Sequence, residues 1–497
     1  MHERYTKPEI ARAWSDQHKL ELWQGVELAA IQAKERLGKF PAGTLARIRE
    51  ALEANPIDIA WWKARDIEIH HDLQAFLDER LRFIPLDLQR YWHEGMTSFD
   101  TEEAAFARMI LDSLAVVRDR ATKLRKAVAD LARRYRYTPC LGETHGQWAD
   151  LTTFGAICLS WLADLKYDAD TNLANCAGGV FYSKLSGAIG KYGDTDPAVE
   201  KTTLEILGFT PYFGATQITP REVYTPTAAA LTQIVQTLQK IALSIRLGAR
   251  SESRIVQEPF KKKQKGSSAM PHKKNPITLE QIEGMSRMAL GYLTMIYQNI
   301  PTWRERAIEQ SCVERVAWPD LFHVTVHSLE ALTRVLAGLQ VYPDRMLEHI
   351  VASRGCFAAS KAKELLKELA AEAGITEPTE TFYRIIQLAA FNVFSPDDIA
   401  SRLRQTPPAD FGEADADYSK FKHSPPFKPM SLQDVIPLGM LKPTDMLDIE
   451  ANVVDEWNKM LRAIFSDHGR LNRWNAIFVP SYHLANQDVL YREILGE

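Results

Sequence analysis

The sequence lacks several features that would indicate a secreted, metal-binding or membrane protein. Its 5 cysteines among 497 residues are an odd number and form no CxxC pair, so we expect neither a disulfide framework nor a cysteine metal site. No apolar run approaches the length of a membrane span, and the charged N-terminal stretch does not resemble a secretory signal. The composition predicts a cytoplasmic protein with no membrane partner.

An excess of positive charge is also missing. The net charge is −4 and the pI about 6.4, so we expect no nucleic-acid partner, although local clusters of cations can still bind an anionic metabolite. With 45% apolar residues the chain can bury a large core, which fits two to four domains or one elongated helical body.

Apolar residues recur at spacings of three and four in long stretches of the chain. Such patterns occupy residues 10–30, 101–132 and 228–245, and we expect the last to continue toward Arg254. Proline and polar residues make 405–430 an irregular connection. The tail 431–497 has enough aromatic residues to predict that it packs against another part of the protein. The patterns predict long amphipathic helices.

Residues 266–276, with the sequence GSSAMPHKKNP, are the most informative stretch. A run of lysines precedes Gly266, so nothing anchors the segment in a core. It offers hydroxyl, ammonium and amide groups, carried by Ser267, Ser268, Lys273, Lys274 and Asn275. The stretch predicts a mobile loop that brings a base and positive charge over a substrate. Taken alone, such a loop is more often a solvated linker.

Two further segments carry residues suited to acid–base chemistry. In 141–147, Thr144 and His145 lie in a glycine-bounded bend, and histidine transfers protons best near neutral pH. A buried structural histidine is the ordinary alternative. Glu280 follows Pro276 by one helical turn. It either orients a histidine or is simply an acid that the helix dipole stabilises in the first turn.

Three polar groups have the spacing needed to bind an anion. Arg306, Ser311 and Arg315, at intervals of five and four, can converge on a phosphate from one helical stretch. A solvated charged face is the ordinary alternative. Thr97 and Ser98 precede a helix, where they either cap it or bind a carboxylate.

The stretch GSSAMPHKKNP is similar to the signature of the fumarase/aspartase superfamily, and its opening resembles most the branch that acts on succinylated purine nucleotides. The resemblance extends from about Arg4 to about Asp320. It implies an all-α protein with a three-region fold, in which a central bundle of long helices forms the core of a homotetramer with shared active sites. We therefore expect an N-terminal helical domain at 1–100, a central bundle at 101–342 with its catalytic loop at 261–276, a C-terminal helical domain at 343–404 and an extension of unknown role at 405–497.

The reaction that this resemblance implies is β-elimination of fumarate from a succinylated purine nucleotide. Ser267 would be the base, and His145, held by Glu280, would protonate the departing nitrogen. Neither a metal nor an organic cofactor is implied. The substrate-binding residues carried over by position are Arg4, Tyr5, His71, Asp72, Thr97, Ser98, Thr144, Gln217, Ser268, Lys273, Asn275, Arg306, Ser311 and Arg315.

The sequence departs from the pattern of the superfamily branch in three places. His70 and Glu143 stand where arginine is usual, and 220–222 falls where Gln-Arg-Asp is usual. These changes leave open another lyase or cycloisomerase of the superfamily, acting on a different succinyl or carboxylated substrate. A non-enzymatic helical scaffold is the remaining alternative, which the intact Ser267 and His145 disfavour.

Overall fold

The computed structural model describes residues 1–393 and 430–497. The predicted connection at 405–430 and the end of the predicted domain at 343–404 therefore lie almost wholly outside the described residues. Helices dominate, as the sequence patterns predict. In the first half of the chain they are Pro8–Ala13, Asp16–Arg36, Thr44–Glu53, Ile59–Ile69, Asp72–Leu81, Ser98–Arg134, Phe154–Lys166, Leu173–Cys176, Pro197–Leu207 and Thr225–Gly248.

The second half of the chain continues the helical pattern, with only short strands. Its helices are Ile277–Gln298, Glu309–Ala337, Pro343–Ala352, Ala359–Glu372, Thr379–Val393, Leu432–Val435, Ala451–Ile464, His468–Ala476, Pro480–Leu484 and Asp488–Leu495. The strands pair two by two: Pro139–Thr144 with Gln147–Thr153, Tyr182–Ser183 with Thr210–Pro211, and Val256–Gln257 with Gln340–Val341. None of the helices in the described part of the chain has the length and apolarity needed to cross a membrane.

The chain divides into two compact units, each made of separate segments. The first unit comprises Met1–Arg125, Asp164–Leu243 and Ile277–Arg334, and the second comprises the segments between and after them. In the first unit, one core forms around Leu20, Trp23 and Phe76, all nearly inaccessible to solvent. Burial of such aromatic and aliphatic side chains supplies most of the stabilisation of a helical unit.

The C-terminal tail belongs to the core of the second unit. Trp474 and Phe478 are fully buried in one cluster with Ile350 and Leu366, and Trp457 packs against that cluster. The indole Nε1 of Trp474 donates to the carbonyl oxygen of Gln433 at 3.1 Å, so its burial leaves no polar group unsatisfied. The expectation that the aromatic tail packs against another part of the protein is confirmed.

One helix boundary differs from the sequence expectation. The helix Thr225–Gly248 ends six residues before Arg254, because the chain turns there. Arg254 has a φ of +52°, and the amide of Ile255 donates to the carbonyl oxygen of Gly248 at 2.9 Å. An arginine in the left-handed region cannot continue an α-helix.

Candidate active site

His145 lies at the tip of a β-hairpin in the second unit. Strands Pro139–Thr144 and Gln147–Thr153 pair so that Thr144 faces Gln147, which leaves His145 and Gly146 as the two-residue turn. Both have positive φ, +55° and +71°, as the right-handed twist of a tight hairpin requires. The predicted bend is present, and it presents Thr144 and His145 to solvent together with Glu143.

The loop at 266–276, also in the second unit, turns back on itself around Ser267. The amide of Met270 donates to Oγ of Ser267 at 3.1 Å, and the amide of Lys273 donates to the carbonyl oxygen of Met270 at 3.0 Å. An amide that donates to a serine oxygen stabilises the negative charge of an alkoxide, so this contact favours deprotonation of Ser267. Ser268 and Lys273 are exposed, and Asn275 is half-buried.

In the first unit, Arg4 and Tyr5 form a single turn, Glu3–Tyr5, ahead of the first helix. The Tyr5 ring meets the edge of His327 at 5.1 Å between ring centroids. Next to it, the Lys7 amide donates to Nδ1 of His323 at 3.0 Å. Arg4 itself is exposed. These contacts fix the backbone of the segment and leave the Arg4 guanidinium available for a ligand.

The chain around His71 and Asp72 is interrupted between two helices, Ile59–Ile69 and Asp72–Leu81. His70 adopts a φ of +54°, which ends the helix Ile59–Ile69, and Nδ1 of His71 caps the next helix by accepting from the amide of Gln74 at 3.2 Å. Asp72 starts that helix, and its Oδ2 lies 2.8 Å from Nη2 of Arg315. The break aims the Asp72 carboxylate at Arg315.

Thr97 and Ser98 stand at the start of the helix Ser98–Arg134. Asp100 accepts the amide of Thr97 at 2.9 Å, which is one half of a capping box. The other Asp100 oxygen lies 2.6 Å from Nζ of Lys184, and both side chains are inaccessible to solvent. Lys184 also donates to the carbonyl oxygen of Gly187 at 2.8 Å. One half of the capping arrangement is therefore present, and the buried pair fixes the start of this helix.

Arg306 and Ser311 come together as their spacing predicts, although not from one helical stretch, and Gln217 joins them. The helix begins at Glu309, so Arg306 lies in the preceding loop and the expectation of one helical stretch is wrong. Nη1 of Arg306 donates to Oε1 of Gln217 at 3.1 Å, and Nη2 donates to Oγ of Ser311 at 3.2 Å. The guanidinium also stacks on Phe99, 3.9 Å from the ring centroid, and burial lowers the pKa of Arg306.

A cavity of about 240 Å³ adjoins these residues within the first unit. Polar groups of Lys19, Asp72, Ser311 and Arg315 line it, together with aromatic walls from Trp14, Trp23, Phe99 and Phe106. Its volume is near the lower end of that of small-molecule sites, and its mix of apolar walls and a few polar groups is typical of them.

Glu102 also lines the cavity, and no motif in the sequence indicates it. Burial, and secondarily the charge of Asp72, raise its pKa to about 8. An acid in the first turns of a helix is usually attributed to capping and the helix dipole, which hid this residue. The adjacent pair Glu102 and Glu103 is a signal that the sequence does offer. Neighbouring side chains on a helix point in different directions, so the two acids must have different surroundings.

The departure at 220–222 has a structural explanation. Arg221 is buried and forms ion pairs with Glu103 and Glu314, both at 2.8 Å. The hydroxyl of Tyr224 donates to Glu103 at 3.1 Å. Burial raises the pKa of Glu314. Arg221 therefore connects the helix Ser98–Arg134 to the helix that carries Ser311 and Arg315.

Each of the two units thus contains part of the predicted site. In the first unit, Gln217, Arg306 and Ser311 contact one another, and Asp72 contacts Arg315. Glu280 lies in the first turn of the helix Ile277–Gln298, as predicted. The hairpin with His145 and the loop with Ser267 belong to the second unit.

Comparisons with known proteins identify the class of this chain. The family model described as Lyase matches residues 3–291, more than half of the chain. A crystal structure of a fumarate lyase from Mesorhizobium sp. BNC1 has the same fold, with a TM-score of 0.70 over 96% of this chain and 99% of that chain, at 22% sequence identity. The chain is a lyase with the fold of the fumarase/aspartase superfamily.

Curated relatives give a finer assignment. An adenylosuccinate lyase from Synechocystis sp. is 34% identical over 395 residues, covering 80% of this chain and 89% of the relative. One from Thermotoga maritima has the same identity and coverage. The chain belongs to the adenylosuccinate lyase family, and the resemblance seen in the sequence is confirmed.

Proposed function

We propose that this enzyme cleaves adenylosuccinate to AMP and fumarate by β-elimination, and that it also releases fumarate from SAICAR to give AICAR. The observation that carries the proposal is the contact between the Met270 amide and Oγ of Ser267 at 3.1 Å. Serine is a poor base at its usual pKa, and an amide donor aimed at its oxygen, on a loop with two lysines, is what proton abstraction requires.

The reaction breaks the bond between the succinyl carbon and the purine nitrogen. Ser267 removes the proton beside a succinyl carboxylate, and the electron pair that remains is held as a dianion. Lys273, Asn275, Ser268, Thr97 and Ser98 are the positive and hydrogen-bonding groups assigned to this charge. His145, oriented by Glu280, gives a proton to the departing nitrogen while the carbon–nitrogen bond breaks. No metal ion or organic cofactor has a part in this scheme.

The nucleotide end of the substrate is assigned to the cavity of the first unit. Arg306, Ser311 and Arg315 line or adjoin it and supply the charge-assisted donors that a phosphate requires. Arg4, Tyr5, His71, Asp72, Thr144 and Gln217 are the further substrate contacts carried over from the superfamily. The pairing of Arg315 with Asp72 at 2.8 Å holds that arginine ready for the ligand.

The proposal includes a homotetramer in which each active site takes residues from several subunits. Support comes from apolar side chains left exposed on the helix Ile277–Gln298: Met288, Leu290, Met295 and Tyr297 are between 37% and 48% exposed. A helix with such side chains beside its buried face has the pattern of a bundle helix that packs against further helices. We place the enzyme in the cytoplasm.

The test is to follow the loss of the succinyl-purine absorbance when the purified protein is mixed with adenylosuccinate. We expect turnover by the wild type and a loss of at least about a thousandfold in kcat for Ser267→Ala, since the base is removed. Ser160→Ala is the matched control, because this exposed serine lies on the helix Phe154–Lys166, outside the site. A wild type inactive on both adenylosuccinate and SAICAR would reject the substrate assignment and favour another succinyl or carboxylated compound.

A further inference from the structure

We propose that the Glu102 carboxyl group is an additional substrate contact, which binds the phosphate group next to Arg306 and Arg315 and makes nucleotide binding depend on pH. The inference rests on the proposed function for the identity of the substrate. It adds a residue that the sequence resemblance does not assign, and it gives this cavity a hydrogen-bond donor of a different kind from its arginines.

The geometry places Glu102 where a ligand would meet it. It lines the same cavity as Ser311 and Arg315, and no residue in the described ranges 1–393 and 430–497 forms a hydrogen bond with its carboxyl group. Its neighbour Glu103, by contrast, is saturated by Arg221, Tyr224 and the amide of Thr219. A partly buried carboxyl group without a protein partner, at the wall of a cavity, is available to a bound molecule.

The charged groups that act on Glu102 come from separate segments of the chain. Asp72 and Arg315 form an ion pair, and Arg306 is held by Gln217 and Ser311. Lys19, from the helix Asp16–Arg36, lines the same cavity and is paired with Asp16. Arg221 and Glu314 line the cavity as well but are paired with each other. Most of the cations around Glu102 are therefore already partnered by other groups.

The protonation state follows from this environment. Burial is the largest cause of the raised pKa of Glu102, about 8, and Asp72 adds to it, while Arg306 and Arg315 oppose it. Below that pH the group is a neutral acid that donates a hydrogen bond to a phosphate oxygen. Above it the group is an anion that repels the phosphate. A bound phosphate dianion disfavours ionisation further, so the substrate and the proton bind together.

The test compares kcat/KM for adenylosuccinate from pH 7 to 9.5 in the wild type and in Glu102→Gln. The substrate phosphate is already a dianion throughout this range, and kcat/KM reports the ionisation of the free enzyme. Glutamine keeps an N–H donor but does not ionise. We expect the ratio of kcat/KM, Glu102→Gln over wild type, to be near one at pH 7 and to rise about tenfold per pH unit above pH 8, with the change in KM and not in kcat.

Asp119→Asn is the matched control, since it removes an exposed acid of the same helix, Ser98–Arg134, that is paired with Lys123 and does not line the cavity. Its profile should follow that of the wild type. A ratio that stays constant with pH would overturn the proposal. A Glu102→Gln protein that is weaker at every pH would also overturn it, by showing that the ionised form makes the contact.

Binding of inorganic phosphate separates this inference from the proposed function. Phosphorus NMR titrations of the wild type and Glu102→Gln at pH 7.5 and 9 need no turnover. Weaker phosphate binding at pH 9 in the wild type alone would support the Glu102 contact even for an enzyme inactive on adenylosuccinate. Equal binding by both proteins at both pH values would reject the contact, whatever the substrate.

Discussion

At the scale of single residues, the buried pair of Lys184 and Asp100 connects stability to the site. Asp100 accepts the amide of Thr97, while Lys184 binds Asp100 at 2.6 Å and the carbonyl oxygen of Gly187 at 2.8 Å. Neither charged side chain is accessible to solvent. Such a pair costs desolvation to form, yet removing one partner leaves the other charged and uncompensated.

We therefore predict that Lys184→Met lowers the free energy of unfolding by roughly 3–5 kcal/mol, measured by urea denaturation. KM for the substrate should rise as well, because Thr97 loses the support of a fixed Asp100. Lys126→Met is the control: its pair with Asp130 is exposed, at 76% and 52%, and should change the unfolding midpoint little. A Lys184→Met protein as stable as the wild type would contradict the description of this pair.

At the scale of elements, the conformation of the 266–276 loop depends on a glycine. A Cβ atom at Gly266 would lie 1.9 Å from the carbonyl oxygen of Lys273, a distance that no real contact allows. Backbone therefore passes against backbone here, and only glycine leaves the space. Any larger residue must push the two ends of the turn apart and shift Ser267.

We predict that Gly266→Ala lowers kcat by roughly a hundredfold, because a displacement of about 1 Å in a catalytic group has that effect. The unfolding temperature should change little, since most of the loop is exposed. Gly25→Ala provides the contrast. Nothing lies within 4 Å of a Cβ there, inside the helix Asp16–Arg36, so stability should rise by about 0.5–1 kcal/mol with activity unchanged. Full activity in Gly266→Ala would show that the loop tolerates another conformation.

The elements also show where sequence reasoning succeeds. Periodic apolar residues predicted the helices at 98–134 and 225–248 because helix formation depends on a pattern that is local in the chain. The break at His70 and the arrangement of Arg306 ahead of its helix were not predictable in that way. The position of Arg306 depends on a contact with the distant Gln217, and neither feature is marked by glycine or proline. Glu102 was missed for the same reason, since only the folded chain gives it a cavity.

At the scale of the whole molecule, the exposed apolar side chains of the helix Ile277–Gln298 require an explanation. Met288 and Met295 are seven residues apart, as are Leu290 and Tyr297, so each pair lies along one side of the helix. The face between the two pairs is buried in the same chain through Leu279, Ile282 and Ala289. Such a helix can pack against two further helices.

If the homotetramer forms through this helix, Leu290→Glu places a carboxylate in an apolar interface and dissociates it. We expect light scattering to give about four times the chain mass of 56.3 kDa for the wild type and a smaller assembly for the variant. Activity should fall with the mass, since a shared site is lost when subunits separate. Leu86→Glu, at a position 85% exposed and outside this helix, should keep both. A fully active wild-type monomer would refute the shared site, because all catalytic groups would then have to come from a single chain.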